Sequence, residues 1–205
     1  MEKIRLAVLG STRGTDMQAI IDAVENKTLN AKIVLVASDR QDAFILERAK
    51  KHGIETLALD RKKFSHREEF DKALAQEIEK RKADLVLLIG YMRILSEGFC
   101  KKFKWKIINI HPSLLPMFAG GMDLNVHEQV KKMGLRETGC TLHFVTDKVD
   151  EGPIIMQKKV PVYPNDSVEN IKNRVQKAEQ GVLLKAIKLF SENKISVKNG
   201  QVTTQ

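Results

Sequence analysis

One run, Ala83-Asp-Leu-Val-Leu-Leu-Ile-Gly90, limits what this chain can fold into more than any other. It is the most apolar stretch of the first half, as expected of a central parallel strand covered on both faces. Shorter strand-like runs precede it at Ile4–Leu9, Ile33–Ala37 and Thr56–Leu59. Helical patterns fall between them. Ile20, Ile21 and Val24 form an inward face after Thr15, a helix over Ala43–Lys51 stops at Gly53, and Phe70, Leu74 and Ile78 share a face after Ser65. Thr15 with Gln18, and Ser65 with Glu68, are spaced as capping boxes. Strand–helix alternation with short connections predicts an α/β, Rossmann-like three-layer domain. Its mostly parallel twisted sheet is flanked by helices and wound through right-handed crossovers.

The second half continues in kind. Lys106–Pro116 begins as a β-branched run and ends in proline punctuation. A helix is predicted over Leu124–Met133, a strand over Thr141–Val145, a loop over Thr146–Gly152 and a strand over Ile154–Val162. Asp166 and Glu169 are spaced to cap a long helix carrying Ile171, Val175, Val182, Leu183 and Ile187. Ile195–Val202 around Asn199-Gly200 is a hairpin signal. Residues 1–190 thus read as one domain, with 191–205 a hairpin or tail of the same domain.

Composition enters where it excludes. A chain of 205 residues with 42% hydrophobic residues suffices for one cored domain. No apolar run approaches the ~20 residues needed to cross a bilayer. The start passes into a strand without signal-peptide architecture, so the expected location is cytoplasmic, without membrane association. Cys100 and Cys140 suit neither a disulfide framework nor a zinc site. The net charge of +9 invites a nucleic-acid reading. The lysines are scattered over helical faces, however, and Phe103 and Trp105 read as core anchors, so no nucleic-acid partner is expected.

Candidate chemistry gathers where Gly10, Gly90 and Asn109 end three strands. Asn109 and His111, two apart on a strand, point to one face. An amide that donates to an oxyanion beside an imidazole that moves a proton suits acyl transfer, although a strand end satisfying backbone groups is the plainer alternative. A carboxylate partner for His111 is available at Asp147 or Asp150, and the residues alone do not choose. The turn Gly10-Ser-Thr-Arg-Gly14-Thr-Asp16, leading into a helix, is an anion site or an ordinary strand-to-helix turn. It is neither a Walker A loop nor a dinucleotide fingerprint. Ser113 lacks a nucleophile-elbow context, His143 reads as facing the core, and no ligand spacing suggests a metal.

Asn109-Ile-His-Pro-Ser-Leu-Leu-Pro116, followed by His143-Phe-Val-Thr-Asp-Lys-Val-Asp150-Glu-Gly-Pro153, resembles the formyltransferases that use 10-formyltetrahydrofolate. The likeness runs from Ile4 to about Phe190 and is strongest to members that formylate glycinamide ribonucleotide in purine biosynthesis. It implies the formyltransferase fold, a folate cosubstrate without metal, and a monomer or homodimer acting on small molecules. It also implies residue roles. Asn109, His111 and Asp150 would be catalytic. Gly14, Thr15, Asp16 and Arg67 would meet the substrate phosphate, and Gln176 and Glu179 the ribose. Met92, Arg93, Ile94 and Leu95, with Val145, Thr146 and Asp147, would hold the folate. Two departures stand out: Asp16 occupies a position more often asparagine, and Phe118–Asn125 is an unusual loop. Relatives that give the formyl group to water or to a sugar nucleotide are alternatives, as is a non-catalytic basic binding module.

Overall fold

A computed structural model describes residues 2–120 and 125–204. Its strands are β1 (Ile4–Leu9), β2 (Ala31–Ser38), β3 (Thr56–Ala58), β4 (Leu85–Leu88), β5 (Ile107–His111), β6 (Glu137–Phe144), β7 (Ile154–Pro161), β8 (Ile195–Lys198) and β9 (Gln201–Thr204). The helices are α1 (Thr15–Glu25), α2 (Phe44–Lys51), α3 (Arg67–Lys80), α4 (Glu97–Lys102), α5 (Val126–Lys132) and α6 (Val168–Ser191). Seven strands form one sheet in the order β3-β2-β1-β4-β5-β6-β7, parallel from β3 to β5 and antiparallel at the two remaining pairings.

Period-two alternation divides the core. Leu6 and Val8 of β1, with Leu85 and Leu87 of β4, meet α1, α2, α5 and α6 on one face. Ala7 and Leu9, with Val86 and Leu88, meet Phe70, Leu74 and Ile78 of α3 and Phe99 of α4 on the other. Three layers follow, as the alternation predicted. The hairpin β8–β9 forms at Asn199-Gly200 and leans Ile195, Val197 and Val202 on the first core face.

The helix starts differ from their predicted caps. Gly14, not Thr15, is the N-cap of α1, in the left-handed region at φ 61°. Gln18 instead donates to Asp22 at 2.7 Å and accepts from Arg48 at 2.5 Å. At α3, His66 is the cap residue, and Glu69 rather than Glu68 receives the Ser65 N–H, at 3.1 Å. At α6, Ser167 accepts the Asn170 N–H at 3.0 Å. Asp166 is drawn away by the Arg174 guanidinium, which donates to it at 2.7 and 3.0 Å. A fork of charge-assisted hydrogen bonds outweighs one neutral cap. The helix expected from Leu124 begins at Val126, while Leu124 and residues 121–123 of the unusual loop lie outside the described residues.

Candidate active site

The sheet order makes β1, β4 and β5 neighbours, so their carboxyl ends share one rim. Side chains and backbone stitch that rim together. The Ser11 N–H donates to the Gly90 carbonyl at 3.0 Å, and the Met92 N–H donates to the Ser11 hydroxyl at 2.9 Å. The motif after β5 is anchored to β6 by Thr141, whose hydroxyl donates to the Ser113 carbonyl at 2.7 Å and accepts the Leu115 N–H at 2.9 Å. Ser113 itself is buried and donates to the Met117 carbonyl at 2.5 Å, a structural role.

Asn109 and His111 reach the same side of β5, as their spacing predicted. The antiparallel register sets His143 of β6 directly opposite Asn109. His143 Nδ1 lies 2.9 Å from the Phe144 carbonyl, which only accepts, so Nδ1 carries a proton. With the ring neutral, Nε2 then accepts from the Asn109 amide nitrogen at 3.1 Å. That bond fixes the amide's orientation and leaves its second N–H for the cleft. Asp150 lies behind the pair, with Oδ2 3.5 Å from His111 Nδ1 and Oδ1 3.5 Å from His143 Nε2. The Gly120 N–H donates to Asp150 at 3.0 Å. Asp150 is held at φ 56°, and a side chain on nearby Gly152 would collide with the Phe144 carbonyl, so the backbone of this loop is tightly seated. His143, read from the sequence as a core residue, therefore belongs to the site. The one sequence clue was an imidazole set between the apolar Leu142 and Phe144.

Burial pulls the His111 imidazole below its ordinary pKa; the Asp150 charge opposes this and His143 reinforces it. Burial pulls Asp150 upward, but the Gly120 N–H that donates to it and the neighbouring imidazoles leave it net lowered. An ionised carboxylate thus stands behind a neutral imidazole whose Nε2 is buried without a hydrogen-bond partner. That imidazole can accept a proton, and the amide beside it can donate to a developing negative oxygen.

A cleft of about 270 Å³ opens on these groups, lined by Met92, Arg93, Ile94, Leu95, Val145 and Thr146 together with Asn109, His111 and Asp150. Val126, Lys148 and Val149 line it too, residues the sequence did not single out. Met92 and Ile94 are each 43% exposed, a high value for apolar side chains beside a polar rim. Arg93 stacks 4.2 Å over the Phe70 ring and braces this wall. Asp147 is exposed and stands outside the cleft lining.

The remaining candidates lie apart. Gly14, Thr15 and Asp16 form the start of α1, where Gly14 is packed so closely on Ile45 that any Cβ would collide. Glu179 is buried on α6, which packs against α1, and Gln176 is half-buried one turn earlier. Arg67 opens α3, its partly exposed guanidinium 3.4 Å from Glu68; no hydrogen bond joins it to the Gly14 turn among the described residues. No group of three or more His, Cys, Asp or Glu suited to a metal occurs among them either, and no helix is long and apolar enough to cross a membrane.

Residues 4–187 match the formyl transferase family. The chain is 41% identical over 195 residues to the phosphoribosylglycinamide formyltransferase of Haemophilus influenzae, covering 95% of this chain and 91% of that one. It is 43% identical to part of the trifunctional purine biosynthetic protein adenosine-3 of Gallus gallus, over 95% of this chain but 19% of that protein's length. The crystal structure of glycinamide ribonucleotide transformylase 1 from Symbiobacterium toebii superposes with a TM-score of 0.92 at 40% identity, covering 98% of this chain and 94% of that one.

Proposed function

The chain belongs to the formyl transferase family, and from that premise we propose that it transfers the formyl group of 10-formyltetrahydrofolate to the primary amine of glycinamide ribonucleotide. One observation carries the reading. A buried, unpaired imidazole nitrogen and an oriented amide face an apolar cleft, with an ionised carboxylate behind them.

The cleft fits a flat heteroaromatic system, being walled by apolar side chains and open at one rim. The folate cosubstrate, when bound, supplies the electrophilic carbonyl carbon. The free N–H of Asn109 then donates to the carbonyl oxygen as it gains charge. His111 Nε2 holds the proton released by the attacking amine and moves it toward the departing nitrogen. Asp150 stabilises the imidazolium that forms and orients the ring. Met92, Arg93, Ile94 and Leu95 with Val145 and Thr146 hold the cosubstrate. The start of α1, at Gly14, Thr15 and Asp16, receives the substrate phosphate with Arg67 as an approaching cation. Gln176 and Glu179 meet the ribose hydroxyls.

The test mixes the purified protein with 10-formyltetrahydrofolate and follows deformylation with glycinamide ribonucleotide, with other amines and with water alone. Turnover that requires glycinamide ribonucleotide, and falls by about 10²–10⁴ in His111→Ala with folding intact, is expected. Turnover without any amine overturns the transfer reading in favour of hydrolysis. Turnover with another amine alone overturns the choice of acceptor.

A further inference from the structure

One hydroxyl ties the turn before α1 to the wall of the cleft. Ser11, 3% exposed, lies just past β1 in that turn. Its Oγ donates to Asp39 Oδ1, just past β2, at 2.6 Å. The same Oγ accepts the Met92 N–H, in the wall past β4, at 2.9 Å. The Ser11 N–H donates in turn to the Gly90 carbonyl at 3.0 Å. Three strand ends thus meet at one side chain. Because the hydroxyl gives its one proton to the Asp39 carboxylate, a lone pair is what meets the Met92 N–H. Among the described residues, that bond is the one hydrogen bond joining the turn to residues 92–95.

The two segments it joins differ in how firmly they are held. The turn is clamped along its length: the Thr12 carbonyl accepts the Ile45 N–H at 3.1 Å, and the Arg13 carbonyl accepts from Arg48 Nε at 3.3 Å. Thr12 Oγ1 also packs so closely on Gly90 that a Cβ there would collide. The wall is irregular backbone with Met92 and Ile94 exposed. Arg93 rests on the Phe70 ring, and past the wall the Ser96 N–H donates to the buried Asp71 at 2.5 Å. Both of those anchors lie on α3, so the Met92 end of the wall takes its position from the turn through Ser11. We propose that Ser11, held by Asp39, is a positioning residue that couples the two subsites. A phosphate bound at the turn fixes Ser11, Ser11 fixes Met92, and the wall receives the cosubstrate more tightly. This deepens the assignment of the α1 start and the cleft as substrate and cosubstrate sites and rests on it.

A hydroxyl polarised by a carboxylate accepts more strongly than a free one, because bonds in such a chain reinforce each other. Each ligand orders the segment it touches, so the second ligand meets a bond whose freedom has already been lost. The effect is reciprocal: the cosubstrate tightens phosphate binding by the same factor. Its size is that of one hydrogen bond in a partly solvated setting, about three- to tenfold in affinity.

Calorimetric titration of the full chain with tetrahydrofolate, which carries no formyl group and cannot react, tests this. Its Kd is measured alone and with saturating glycinamide ribonucleotide, in the wild type, Ser11→Ala and Asp39→Ala. In the wild type, tetrahydrofolate is expected to bind about three- to tenfold more tightly when the ribonucleotide is present. In Ser11→Ala that ratio is expected to fall to about one, while the Kd of each ligand alone stays within about twofold of the wild type. A merely loosened fold would weaken each ligand alone and leave the ratio standing. Asp39→Ala keeps the hydroxyl but frees its rotation, so an intermediate ratio is expected; this variant carries the test should Ser11→Ala not fold. A ratio of one in the wild type, or the wild-type ratio persisting in the folded variants, overturns the proposal and leaves the formyl-transfer reading intact. Ribose 5-phosphate in place of the ribonucleotide keeps the test independent of the acceptor amine. Coupling with ribose 5-phosphate, alongside no binding of glycinamide ribonucleotide, overturns the acceptor and supports the Ser11 link. Failure of tetrahydrofolate to bind at all overturns both.

Discussion

At the scale of single residues, the site depends on which atoms carry protons. His143 is fixed as the Nδ1–H tautomer by the Phe144 carbonyl, which turns the Asn109 amide nitrogen toward the ring and aims its second N–H at the cleft. Replacing Asn109 with Ala removes that donor, and kcat is expected to drop by about 10²–10³ with little change in KM. An equal fall in both constants, or no fall, would remove Asn109 from the transition state. His111 titrates below 6.5 because it is buried, and Asp150 holds it up. Nitrogen-15 NMR should therefore find the Asp150→Asn imidazole titrating lower still. The sign for stability follows. Unfolding lets His111 take a proton that burial refuses, so this group costs stability as pH falls through 6.5 toward the folded value. Asn109 and His111 were legible in the sequence because strand periodicity is local. The residues alone did not tell Asp150 from Asp147; the family resemblance pointed to Asp150, and the path of the loop seats it beside His111 and leaves Asp147 exposed.

At the scale of elements, helices and strands form where apolar spacing places them, while their ends answer to neighbours. All three predicted caps are replaced, one locally, by Glu69 in place of Glu68, and two by partners elsewhere in the fold. Arg174 takes Asp166, Arg48 takes Gln18, and the left-handed Gly14 starts α1 against Ile45. Gly14→Ala combines positive φ with a Cβ driven into Ile45, and is expected to cost about 1–3 kcal/mol in urea unfolding. Pairing it with Ile45→Ala relieves the collision but not the backbone strain. The two changes should therefore couple, with a double mutant less destabilised than the sum of the singles. Strict additivity would show that Ile45 does not meet the new methyl group.

At the scale of the whole molecule, the sheet order gathers strand ends from residues 10, 90 and 109 onto one rim. The net charge of +9 gives the molecule as a whole a field that favours anionic ligands. Raising ionic strength from about 0.02 to 0.5 M should lower kcat/KM for the phosphorylated acceptor several-fold and leave kcat nearly unchanged, because salt screens approach rather than chemistry. A salt-independent kcat/KM would show that the charge plays no part in capture.

The sequence by itself determined the α/β class, the two-faced core, the C-terminal hairpin and the motif holding Asn109 and His111. Each of these rests on local periodicity or turn chemistry, which a short stretch of chain carries within it. Tertiary structure alone decided that His143 stands opposite Asn109 and that Asp16 and Glu179 share a burial, and it seats Asp150, to which the family resemblance pointed, beside His111. These depend on strand register, loop path and helix packing between residues 34 to 163 positions apart. Such contacts arise when a core closes around them, and no pattern within one segment encodes them.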